Sequence, residues 1–152
     1  MSNASATLKE VEQALRNVIQ SLIDGQEGFK QIGDELKDET HKRYFLAESL
    51  KRAQFRGELE TVLHQEGIQD IKESGTAAGA VRRTWASLKH NLGGGDHTLL
   101  ETAEQGEDAT KEAYEDALDR ELPFPVRQLL TTQSAHIQAS HDYIKAARDR
   151  SK

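Results

Sequence analysis

The chain has 152 residues, 36% apolar and 30% charged, and its 20 Lys and Arg against 26 Asp and Glu leave a formal net charge of −6. That length suits one domain with a real core, and an acidic balance without a run of Lys or Arg lacks the electrostatic footprint of a nucleic-acid binder, Arg82-Arg83 reading as a solvated helix face. The absence of cysteine excludes disulfides, thiolate nucleophiles and zinc–thiolate sites and fits a cytoplasmic location; no apolar run approaches the ~18 residues of a spanning helix, so no transmembrane segment is expected.

Ser2-Asn3-Ala4 reads as an expression scar, so residues 1–6 are expected to be disordered or foreign to the fold. A first helix is predicted from about Thr7 to Leu36, with Leu8, Val11, Leu15, Val18, Leu22, Phe29, Ile32 and Leu36 at 3–4 spacing. Thr7 with Glu10 has the spacing of a capping box at its start. After a Lys37–Thr40 turn, a second helix runs to about Gln65 with Phe45, Leu46, Leu50, Leu59 and Val62 as its apolar set and Gly67 as its stop.

Residues 68–95 separate the halves and hold a predicted short helix from Ala77 to Asn91 with Trp85, then a Gly93-Gly94-Gly95 hinge. A connection of that length fits a crossover along the bundle, with Trp85 closing one end of the core. Asp96 is placed as the N-cap of a third helix running to about Leu118. Pro123-Phe124-Pro125 breaks the chain, and a fourth helix fills the rest, with Val126, Leu129, Leu130, Ile137 and Ile144 inward. The expected fold of residues 1–152 is a single all-α domain, two antiparallel helix pairs joined by a long crossover with a short extra helix.

Two stretches resemble each other. DGQEGF at 24–29 and EQGEDA at 104–109 each put Gly and Glu inside an amphipathic helix, with Glu27 and Glu107 as the matching acids. The second helix of each half offers a glutamine: Gln54 on the stripe of Ala47 and Leu50, and Gln133 on the stripe of Leu130, Ile137 and Ile144. A pseudo-twofold bundle would bring Glu27, Gln54, Glu107 and Gln133 to one level of the core, with Glu58 a turn beyond Gln54 and His141 facing inward beside Ile137 and Ile144. Di-iron and di-manganese bundles use this arrangement with a Glu from each of two helices and Glu-x-x-His from each of the others. Here the matching positions read Gln133-x-x-His136 and Gln54-x-x-Gly57, and no Glu-x-x-His occurs.

The segments DGQEGF, RAQFRGEL, GTAAGAVRRTWASLK, EQGEDATKEAYEDAL and HDYIKAARD together resemble a bacterial ferritin-like four-helix-bundle family of unknown function, over roughly residues 8–150. The resemblance implies a ferritin-like fold and no established activity. An amide in place of a carboxylate removes a charge that two divalent cations need, and Gln both donates and accepts. The leading expectation is therefore a metal-free polar core site of Glu27, Gln54, Glu58, Glu107, Gln133 and His141, without a cofactor. The alternative is an iron or manganese site, in an oxidoreductase or iron-handling protein, drawn from Glu27, Glu58, Glu107, His136 and His141. With no nucleophile elbow, phosphate loop or dinucleotide fingerprint present, the functional expectation is a non-enzymatic bundle acting by association, as a homo-oligomer or with a protein partner.

Overall fold

The computed structural model describes residues 2–68 and 95–151, and in those residues the chain is four α-helices. These are α1 (Ser2–Glu35), α2 (Glu39–Gln65), α3 (Asp96–Leu118) and α4 (Phe124–Arg150). The predicted Ala77–Asn91 helix, the Trp85 lid and the Gly93-Gly94 part of the hinge lie outside the described residues.

Each helix boundary has a local cause. α1 begins at Ser2 rather than Thr7. Ser2–Ala6 contains no breaker, so Thr7 lies inside the helix and its capping box has no free end to cap. Asp38 caps α2, its carboxylate accepting from the His41 amide at 2.9 Å. That bond, which favours the ionised form, is the main reason the Asp38 carboxyl is held below its usual range. α2 ends in a Schellman motif: Gly67 takes φ +77°, its amide reaches the His64 carbonyl at 3.1 Å, and the Ile68 amide reaches Leu63 at 2.8 Å. Pro123 is the N-cap of α4, where a missing N–H costs nothing.

Asp96 departs from its expected role. Gly95 is the N-cap of α3, and Asp96 is its first helical residue. The Asp96 carboxylate reaches across the bundle end to accept from the backbone amides of Lys37 and Asp38 at 2.9 and 3.0 Å. α3 therefore starts beside the α1–α2 turn. At the opposite end Arg120 pairs with Glu10 at 3.1 Å, so α3 runs back toward the start of α1. Arg127 then clamps the α3–α4 turn by donating to the carbonyls of Leu118 at 2.8 Å and Arg120 at 2.5 Å.

Around the bundle, α1 packs on α2 and α3, and α4 on α3 and α2; the α2–α4 seam is the least closely packed of these. The buried apolar residues form two clusters. One gathers Leu15, Leu22, Phe55, Leu59, Tyr114, Leu130 and Ile137, and the other Phe29, Ile32, Phe45, Leu99, Leu100 and Ile144. Along every helix the switch between clusters falls at one level, marked by Gly25, Glu48 to Arg52, Glu107 and Ser140. A polar layer divides the core. None of the described helices is long and apolar enough to cross a membrane.

Asp96→Ala removes the acceptor of two backbone amides at the bundle end. It should lower stability by about 1 kcal/mol, read as a reduced urea midpoint with an unchanged slope.

Candidate functional site

Arg52 is the centre of the polar layer. It lies on the buried stripe of α2 with Phe45, Glu48, Phe55, Leu59 and Leu63, and its side chain is 0% exposed. Its two terminal nitrogens donate to the two Glu107 oxygens, Nη1 to Oε1 at 2.7 Å and Nη2 to Oε2 at 2.8 Å. The fork matches the carboxylate geometry and joins α2 to α3. Nε donates to Glu48 Oε1 at 3.0 Å, one turn back on the same helix. The guanidinium carbon sits 4.7 Å from the centroid of the Phe29 ring, which offers its π-face to the cation. Gly25 on α1 faces it: a Cβ there would come to 3.6 Å from Arg52 Nη1, an ordinary contact distance.

The layer continues outward. His136 Nε2 is 2.7 and 3.1 Å from the two Glu48 oxygens, and its ring stands edge-on to Phe55. His136 is partly exposed at the α2–α4 seam, so it is the link between the buried ions and water. Two carboxylates and one guanidinium sum to −1, and a protonated His136 brings the four groups to zero.

Electrostatics follow the burial. Loss of water disfavours the charged Arg52, but Glu107 and then Glu48 outweigh that loss, and its pKa is raised above the ordinary arginine value. Burial pushes the Tyr114 hydroxyl up, with Arg52 opposing and Glu107 reinforcing the shift. That hydroxyl donates to Gln133 Oε1 at 2.8 Å, and Gln133 Nε2 donates to the Phe55 carbonyl at 3.1 Å and Glu58 Oε1 at 3.3 Å. Tyr44 is raised to about 12, first by burial and further by the Glu48 and Glu107 carboxylates.

The candidate residues separate into three groups. Glu107 is buried in the layer, Gln133 is buried within the first apolar cluster beside Tyr114 and Phe55, and Glu58 is half-buried, bridging Gln133 and an outward-facing Gln54. His141 is buried but belongs to a different cluster: Nε2 lies 2.9 Å from Asp108 Oδ1, off the hydrogen-bonding direction, and 3.7 Å from Glu104 Oε2, which also pairs with Arg148. Its Nδ1 lies 3.2 Å from Asp142 Oδ1, and this bond lowers the Asp142 pKa. Glu27 and Gln54 are exposed.

The expected facing of Glu27 and Glu107 is therefore corrected. On α1 the inward position is Gly25, sharing a face with Leu22, Phe29 and Ile32, and Glu27 lies two residues, about 200°, further round. On α2 the stripe of Ala47, Leu50 and Gln54 faces water, with Leu50 72% exposed, and the neighbouring stripe carrying Arg52 faces the core. The inward acid on α2 is Glu48, not Glu58. Arg52 and Glu48 were missed because arginine and glutamate rarely occupy a core stripe. Their 3–4 register with Phe45, Phe55 and Leu59 is the signal that identifies them.

Among the described residues no group of three or more His, Asp or Glu side chains is placed to hold a metal ion. A dinuclear centre also misfits the donors present: both Glu107 oxygens and one Glu48 oxygen accept from Arg52, whose own charge opposes a second cation. A smaller cleft of about 230 Å³ lies at the other core end, walled by Asp38, His41, Asp96 and Arg150. Beside it His41 Nδ1 meets the Tyr143 hydroxyl at 2.8 Å, and Tyr143 stacks on Tyr44 at 3.8 Å.

A family model described as "Domain of unknown function (DUF2383)" matches residues 10–120, nearly three quarters of the 152-residue chain. No curated protein matches. The matched span contains Arg52, Glu48 and Glu107, and ends before Gln133 and His136.

Arg52→Leu leaves Glu107 buried without its cation and should cost about 3–5 kcal/mol, measured by urea denaturation. Adding Glu107→Gln should return much of that loss, giving a double-mutant coupling on the order of 2 kcal/mol. Tyr44, whose folded pKa of about 12 exceeds the ordinary tyrosine value of 10.0, contributes stability that is complete below pH ~10. That contribution is lost as pH rises toward 12, so Tyr44→Phe should flatten the alkaline limb of the stability–pH curve over this window.

Proposed function

We propose, for a chain that belongs to the DUF2383 family of unknown function, that it is a ferritin-like bundle whose central site is a structural ion-pair network rather than a reaction centre. In this reading the protein is non-enzymatic and acts through association of its helical surfaces. The observation that carries it is Arg52, fully buried with both terminal nitrogens on Glu107. A fixed guanidinium offsets one of the two inward carboxylate charges and bonds to both groups, a role divalent cations take in metal-bearing bundles of this architecture. The helix order supports the fold assignment: α3 starts beside the α1–α2 turn through Asp96, at the end of the bundle opposite to where α2 stops. The surface is compatible with this mode of action, since among the described residues the large apolar side chains left in water are Leu50 and Phe124, each 72% exposed.

The test is elemental analysis of tag-free protein purified without chelator from cells supplemented with iron and manganese. The expected result is well below one metal per chain and a melting temperature that chelator leaves unchanged. About two metals per chain, lost together with several degrees of melting temperature on chelation, would contradict it and favour the oxidoreductase or iron-handling alternative.

A further inference from the structure

The outer face of α2 bears a second repeat that the core does not use. Arg43, Ala47, Leu50, Gln54, Gly57 and Thr61 follow a 4-3-4-3-4 spacing, and all six are exposed. That is the seam of a helix that packs on another helix. Leu50 is its one large apolar side chain, at 72% exposure. Gly57 has open space where a Cβ would stand, so among the described residues nothing fills the groove beside it.

We propose that this face binds the same face of a second copy, antiparallel, about a two-fold axis level with residue 52. The seam is self-complementary only in that sense. Positions equally distant from residue 52 are 50 and 54, 47 and 57, and 43 and 61. Leu50 then meets the aliphatic stem of Gln54, small Ala47 meets small Gly57, and Arg43 meets Thr61 beside Glu60. The small pair lets the backbones approach, and Leu50 fills the space next to it.

Charge selects the same partner and the same direction. Outside the core, residues 39–52 carry Glu39, Lys42, Arg43 and Lys51, three bases and one acid, or +2, while Arg52 and Glu48 are buried and paired inward. Residues 53–66 carry Arg56, Glu58, Glu60 and Glu66, one base and three acids, or −2. An antiparallel two-fold brings each +2 half against a −2 half, while a parallel pairing sets like against like. An isologous contact of this kind closes after one partner, giving a dimer and no larger assembly. The inference rests on the association reading above, but metal uptake would overturn the non-enzymatic reading without moving the pattern predicted here.

The absence of cysteine from the chain makes the register measurable. In the proposed dimer residue 47 lies opposite the partner's residue 57, whereas the two copies of residue 47 are separated along the axis by ten residues, roughly 15 Å. Ala47→Cys/Gly57→Cys should form a covalent dimer on mild oxidation, and neither single substitution should, since a disulfide needs Cα atoms within about 7 Å. Light scattering of the unmodified chain should give twice 17.0 kDa, and Leu50→Glu should weaken that dimer more than tenfold with the circular dichroism spectrum unchanged. A monomer at ~100 µM, cross-linking by either single variant, or a dimer that the double variant does not lock would each overturn the proposal.

Discussion

A guanidinium taken wholly out of water is tolerated only where its charge and its donors are met on every side, and Arg52 is met on three. Glu107 takes both terminal nitrogens, Glu48 takes Nε, and the Phe29 ring covers the remaining face. Those partners come from α1, α2 and α3, with His136 adding α4 through Glu48, so one side chain ties the level at which all four helices meet. The two apolar clusters can be separate because this layer lies between them. Ion pairs of this sort add little net stability over a well-packed apolar substitute. Their effect is on uniqueness: an axial slip or rotation of α2 against α3 would leave Glu107 and Arg52 each buried and unpaired.

The same arrangement bears on chemistry. Carboxylates at the centre of a helical bundle are the raw material of a metal centre, and what decides their use is the source of the compensating charge. Here the chain supplies it covalently, from α2. Gln133, which would otherwise be a weak ligand, is fully employed as an acceptor from Tyr114 and a donor to the Phe55 carbonyl. α2 presents two different faces, Arg52 inward and Leu50 outward.

The four long helices, most of their limits and the buried positions of α1 and α4 were readable from 3–4 periodicity and from breakers such as Gly67 and Pro123, whereas the start of α1 at Ser2 and the cross-bundle role of Asp96 were not. Glu107 and Gln133 were readable too, since each interrupts an otherwise apolar stripe. Two features of the site were not. α2 has apolar residues at two spacings, Phe45–Phe55–Leu59 and Ala47–Leu50, and composition alone favoured the stripe containing leucine over the one containing arginine. The internal repeat then misled on α1: the likeness of DGQEGF to EQGEDA aligns Glu27 with Glu107, but the inward position on α1 is held by Gly25, which faces Arg52. Symmetry in the sequence did not extend to the side chain that completes the site, because the partner of Glu107 came from a different helix.

The central claim is that Arg52 is a buried, ionised and doubly paired cation. Nitrogen-15 NMR of the arginine side chains tests it most directly. The account predicts one guanidinium with separately resolved terminal NH₂ signals at neutral pH, protected from solvent exchange like core amides, and absent from the Arg52→Lys protein. Arginine side chains that all rotate freely and exchange with water at surface rates would contradict it.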